Sequence, residues 1–297
     1  MDGILKKIKQ SDAFNRENRV PYLKVIVLMS LFTFVFLGAE FLFVNMISRI
    51  VSGHRSVAAQ NYALGVSAVG FVLYPLLCRF CKGNAQTSVS VCAAVISNAC
   101  LFLMCRSGSY TLTLIAGLLL FLILGVFGSA VFYKSLCLLE DNTHIARLTG
   151  ISYMLGTMLQ IANSNLVHID IAEAAILSVF IMLLALMLIR AEKNSVVPAL
   201  SKSEPDGGNG RESLKISVIL VFFVALMTCI FSTLDNAVTL IHASGEANIG
   251  QWPRVLLALS GLLAGFLFDT ASRKYMSIVM YCITVLSTTC LVILQFA

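Results

Sequence analysis

Residues 265–274 read GFLFDTASRK, ten residues set between two long apolar runs. A stretch of this kind is the join between two membrane helices, and the spacing predicts a short loop here. Its residue types have separate physical uses. Gly265 has no side chain, so two helix backbones can touch at it. Asp269 sets a carboxylate at the membrane surface, where the unpaired N–H groups and partial positive charge of a helix N-terminus favour it. Arg273 and Lys274 are cations of the kind concentrated on the cytoplasmic side of a bilayer.

The surrounding chain has a membrane composition. Hydrophobic residues make up 58% and charged residues 12%, with a mean hydropathy of +0.89, whereas a soluble domain carries roughly 25% charged residues. Apolar runs at about 25–48, 61–78, 87–105, 111–133, 148–167, 172–189, 216–241, 253–268 and 276–296 each come near the ~20 residues that cross hydrocarbon. The expected fold is all-α: a polytopic membrane protein of about nine transmembrane helices, with the lipid bilayer as its first partner. The least defined boundary lies between Val167 and Glu173, where His168, Asp170 and Glu173 interrupt the apolar pattern. No cleavable signal peptide is expected, because the first apolar run is long enough to span.

Orientation follows from the basic residues. With the N-terminus cytoplasmic, 17 of the 21 Lys and Arg residues fall inside, and only Arg49, Arg55, Arg106 and Arg254 fall outside. The expected location is the cytoplasmic membrane of the cell. The same bias accounts for the net charge of +6 without a nucleic-acid partner. Cys92, Cys100, Cys229, Cys282 and Cys290 lie inside apolar runs, as small hydrophobes do. Cys78 and Cys81 have CxxC spacing but lack the second pair or nearby His that a metal site needs. His54, His144, His168 and His242 sit at loops or run ends without ligand spacing. There is no phosphate-binding Gly loop, nucleophile with a base, or carboxylate pair at catalytic spacing. The chain therefore reads as no enzyme, with no catalytic residues, metal or cofactor.

Residues 1–24 form a basic cytoplasmic leader. Residues 191–214, AEKNSVVPALSKSEPDGGNGRESL, are the one long polar interior stretch and read as a flexible cytoplasmic linker. It separates a six-helix N-terminal half (25–190) from three further runs (215–297). The two sides repeat each other. Lys24 opens the first run and Lys215 the seventh; Glu40 and Asp235 occupy the outer halves of those runs. Gly70-Phe71 recurs as Gly265-Phe266, 195 residues on, the same interval that separates Glu40 from Asp235. After Gly70 the first copy, YPLLCRF, carries Pro75 and Arg79 but no Asp.

The pattern Gly-x-Leu-x-Asp-x-x-x-Arg-Lys resembles the signature loop of the major facilitator superfamily of secondary transporters. Ser272 stands where that family usually has Gly, and Thr270 where it often has a basic residue. The resemblance implies two six-helix halves joined by a cytoplasmic linker, a central cavity lined by helices 1 and 7, and alternating access for a small solute. Against the family's twelve helices the chain reads as truncated after the ninth. The alternative is a non-transporting sensor or anchor of the same ancestry whose C-terminal part is missing. In the family, the Asp of the signature loop meets the cytoplasmic start of a helix from the opposite half. Carried over, Gly265, Asp269, Arg273 and Lys274 form a gating motif, with Asp269 expected near Arg147 to Gly150.

Glu40 and Asp235 read as the carboxylates well inside spanning runs. Burying such a group costs at least ~2.5–3.5 kcal/mol, so it faces a cavity or a partner. As cavity groups, Glu40 and Asp235, supported by Asn236, would bind a proton, another coupling ion or a basic group on the substrate. As packing groups they would hydrogen-bond a neighbouring helix. Gln160 and Asn163, with Ser164, share one face of the fifth run at i, i+3 and i+4. That face points either to an aqueous cavity or to interhelical hydrogen bonds. The Gly-Pro pair of the family's antiporters is absent from the fifth run, as is the intramembrane Arg of many proton-coupled members from the fourth.

Overall fold

The computed structural model describes residues 19–51, 53–81, 84–139, 144–194 and 252–270. Asp235, Asn236, Arg273 and Lys274 lie outside them, as do the expected runs 216–241 and 276–296. Every element among the described residues is an α-helix: α1 (Arg19–Ser48), α2 (Gly53–Phe80), α3 (Asn84–Arg106), α4 (Tyr110–Leu138), α5 (Ile145–Leu166), α6 (Asp170–Asn194) and α7 (Trp252–Thr270). The fold is all-helical, as expected. Of the nine spans expected, five are long and apolar enough to cross a membrane among the described residues, namely α1, α2, α3, α4 and α6. At 22 residues α5 is nearly as long as α3, at 23. Its Thr149, Ser152, Thr157, Gln160, Asn163 and Ser164 dilute the apolar signal.

The helices overrun the apolar runs for a geometric reason. α1, α2 and α4 have 30, 28 and 29 residues, or about 42–45 Å at ~1.5 Å per residue, against a hydrocarbon core of ~30 Å. Their ends therefore continue through the headgroup layer. Arg19 to Lys24, expected in the leader, belong to α1, and Ala191 to Asn194, expected in the linker, belong to α6. Lys134, expected as a loop charge, is inside α4 and only 9% exposed. Gly265 to Thr270, expected as the start of a loop, are the last turns of α7. A glycine inside a membrane helix serves close packing as readily as a turn.

α1 is the hub of the bundle, in contact with each of α2 to α6. The most extensive pairings are α2 with α4, α1 with α5, and α3 with α6. Exchanging α1 with α4, α2 with α5 and α3 with α6 carries this set of pairings onto itself, α1 with α2 excepted. Thus α2·α4 becomes α5·α1, α3·α4 becomes α6·α1, and α1·α3 becomes α4·α6.

The first two of these pairings share a device. At the α2·α4 crossing, a Cβ on Gly125 would collide with the Ser67 carbonyl, and one on Gly70 with the Leu122 carbonyl. At α1·α5, a Cβ on Gly156 would lie 2.6 Å from Thr33 Cβ and 2.7 Å from the Ser30 carbonyl. Lipid tails are as apolar as leucine, so such helices are held by close packing rather than by escape from water. Between α1 and α4, the Phe43 ring fills the space beside Gly117 and the Phe32 ring that beside Gly128. Phe121 stacks edge-on against Phe36 and Phe43 at 5.5 and 5.8 Å, and Phe34 of α1 meets Phe180 of α6 at 4.8 Å.

Candidate functional site

The polar groups of the bundle gather in two places around α1 and α5. Glu40 of α1 is half-buried, and its Oε1 accepts a 2.8 Å hydrogen bond from Nε2 of Gln60 on α2, itself 8% exposed. Tyr153 of α5, a partly buried phenol, lies in the same region. Tyr153 in turn packs on α7, where a Cβ on Gly261 would stand 2.9 Å from its ring. Glu40 is thus a carboxylate with a committed amide donor beside a tyrosine at the α5·α7 contact.

Gln160 and Asn163 are brought together as their shared face predicts. They are 3% and 9% exposed, and Gln160 Nε2 and Asn163 Nδ2 each donate to Oε1 of Glu173 at 3.5 Å. The contact runs from α5 to α6, the interhelical alternative for these two residues. Ser164, on the same face, turns back to its own helix and donates to the Ile161 carbonyl at 3.1 Å. Glu173 was missed as a site residue because it sits at the interruption between two runs. It is in the first turn of α6 and only 4% exposed. The signal that could have found it is the Asp170–Glu173 spacing of three at a helix start, which puts both carboxylates toward one side. They divide the work: Glu173 turns inward, and Asp170 binds the α1–α2 turn.

That second contact closes the end of the bundle where α1 turns into α2. Arg49 Nη1 and Nη2 donate to Asp170 Oδ2 and Oδ1 at 2.5 and 3.1 Å. The Asp170 hydrogen bond raises the Arg49 guanidinium above its ordinary value, so this cation is permanent. Cys105 of α3 donates its thiol to the Asp170 carbonyl at 3.7 Å.

At the opposite end the start of α5 meets α7. A Cβ on Gly265 would lie 2.7 Å from the Ala146 carbonyl, 3.1 Å from Gly150 Cα and 3.3 Å from Arg147 Cα. The Arg147 guanidinium sits 4.9 Å from the centre of the Phe266 ring. Gly265 thus lies against the start of α5, while the Asp269 side chain is outside the described side chains. Tyr22 and His144 meet edge to face at 6.3 Å between α1 and the start of α5. A cleft lies among α2, α3, α4 and α6, where buried Lys134 donates to the Leu188 carbonyl at 2.7 Å. Its free space of about 40 Å³ is room for about three waters. Among the described residues, no three His, Cys, Asp or Glu side chains gather as metal ligands.

No family model, no curated protein and no solved structure matches the chain. The chemistry of a helical membrane bundle with these two polar clusters is what any functional reading has to use.

Proposed function

We propose that this protein is a secondary transporter of the major facilitator type. It moves a small solute across the cytoplasmic membrane by rocking two helical halves about a central site, with its N-terminus inside and with protons or another ion as the coupling partner. The observation that carries this reading is the exchange of helix pairings between α1–α3 and α4–α6. Inverted three-helix repeats inside a six-helix half produce that exchange. The GFLFDTASRK stretch and the 195-residue internal repeat of Gly-Phe and of the intramembrane carboxylates support it independently.

In this reading Glu40 and Asp235 are the paired cavity carboxylates of the two halves, with Asn236 beside the second. A lone charge in hydrocarbon costs at least ~2.5–3.5 kcal/mol. The Gln60 bond offsets part of that for Glu40, and a carboxylate so placed can take up a proton, a cation or a basic group of the solute. Gly265, Asp269, Arg273 and Lys274 form the inner gate, where the close approach of Gly265 to the start of α5 supports the assignment.

The test is flux in proteoliposomes carrying the full chain, screened over solute classes under imposed proton and sodium gradients. Wild type is expected to accumulate a solute, and Glu40→Gln to lose or uncouple that accumulation while inserting normally. Transport with unaltered pH dependence in Glu40→Gln would make Glu40 a packing residue. An inactive wild type across all classes would favour the sensor or anchor.

A further inference from the structure

We infer that Glu173, Gln160 and Asn163 form a proton-binding site at the outer end of the bundle, in which the Gln160 amide turns over when Glu173 takes up a proton. The inference stands on the geometry of this corner and does not depend on transport.

Glu173 is 4% exposed, and it accepts hydrogen bonds from two neutral amides that converge on one oxygen, each at 3.5 Å. Bonds to an ionised carboxylate are ordinarily short, near ~2.7–2.9 Å for charged donors, and 3.5 Å is beyond the usual range for N–H···O. Meanwhile Oε1 of Gln160, a residue 3% exposed, is buried with no hydrogen-bond partner. It lies over α1, where a Cβ on Gly38 would come within 2.8 Å of it. The corner therefore holds two donors competing for one acceptor and an acceptor without a donor.

One proton removes the competition at Glu173 and gives Gln160 Oε1 a donor, with Nε2 taking the place over α1. A carboxylic acid has an O–H donor and keeps acceptor capacity on its other oxygen. A half-turn of the Gln160 amide exchanges its ends, so that Oε1 takes the position beside Glu173 now held by Nε2. Glu173 O–H then donates to Gln160 Oε1, and Asn163 Nδ2 remains a donor to the carboxyl. The balance is simple: a proton from the outer water adds to a carboxylate oxygen, one negative charge disappears, and no other covalent bond changes.

The neighbouring groups favour a single-proton event. Asp170, one turn earlier on α6, is engaged by Arg49 of the α1–α2 turn, so that cation is committed. From α3 the titratable neighbour is Cys105, whose thiol already donates to the Asp170 carbonyl. α5 contributes the two amides and α1 contributes Gly38. The site lies beside the short α5–α6 turn at the end of the bundle, where Leu166 and Ile169 are 80% and 67% exposed.

The test is infrared spectroscopy of the full chain in lipid nanodiscs over a pH series, comparing wild type, Glu173→Gln and Gln160→Leu. The wild-type minus Glu173→Gln difference is expected to contain one protonated-carboxyl C=O band. That band should shift to higher frequency in Gln160→Leu, where the acid loses its acceptor. A difference spectrum with no carboxyl band at any pH at which the protein stays folded would overturn the inference. So would a band at the same frequency in Gln160→Leu. Should Glu173→Gln fail to accumulate, the comparison of wild type with Gln160→Leu decides alone: a moved carboxyl band supports the site, and an unmoved one ends it.

Discussion

The crossing of α2 with α4 and the crossing of α1 with α5 change places when α1–α3 are exchanged with α4–α6, and both bring backbones together over a glycine. Beyond the glycines they differ completely. Past Gly70 and Gly125 the α2·α4 seam continues in aromatic rings, with Phe71 against Phe132 and Tyr74 against Tyr133 at 6.3 and 6.2 Å. Past Gly156 the α1·α5 seam continues in Gln160 over Gly38 and in the amide pair on Glu173. A repeated framework therefore carries unrepeated chemistry. The glycines are needed wherever two helices must touch, whereas the amide–carboxylate cluster lies beside only one of the two seams.

The comparison breaks first at the glycines. Gly125→Leu and Gly156→Leu each force a side chain into backbone that has no room for it, and overpacking of this kind costs about 1–3 kcal/mol, occasionally more. Both variants should lower the thermal midpoint by similar amounts, or fail to insert. A harmless Gly156→Leu beside a ruinous Gly125→Leu would show that the seams are not equivalent.

A smaller effect separates their chemistry. Asn163→Leu removes one of two donors to a buried carboxylate, at a cost of about 1–3 kcal/mol. Ser67→Ala, on the other seam, removes only a local bond to the Leu64 carbonyl and should stay within about 0.5 kcal/mol. Equal losses in denaturation would erase the distinction between a polar and a dry seam. The smallest change is expected at the Arg49–Asp170 latch. The Arg49 side chain is 60% exposed, and exposed ion pairs are worth ~0–1 kcal/mol. Arg49→Ala should therefore cost under about 1 kcal/mol, and less still in high salt.

Much of this was legible in the residues and some of it was not, for reasons that can be named. Helix existence follows from apolar length, which is why α1, α2, α3, α4 and α6 were plain. Their ends were not, because a helix keeps its hydrogen bonds through the headgroup layer, where Lys24 and Ala191 to Asn194 are no longer apolar. The face made by Gln160 and Asn163 was visible as an i, i+3 pair, but its partner was hidden. Glu173 looked like a break between runs, and only the short α5–α6 turn brings it back against α5. Gly265 was legible as a point of close approach. The loop expected over 265–274 begins later than its position between two apolar runs suggested, because α7 runs on to Thr270.

The central claim is that the helices rock about a site containing Glu40, and it can be tested without knowing the solute. Gln60 is the hydrogen-bond partner of Glu40, so a lone cysteine introduced as Gln60→Cys in an otherwise cysteine-free full chain marks the site. Membrane-impermeant thiol reagent would be added to one side of sealed vesicles and then, separately, to the other. The account predicts labelling from both sides, with a lipid-impermeant blocker on one side failing to protect completely against reagent on the other until both conformations have exchanged. Labelling from one side alone, or from neither, in folded protein would contradict it.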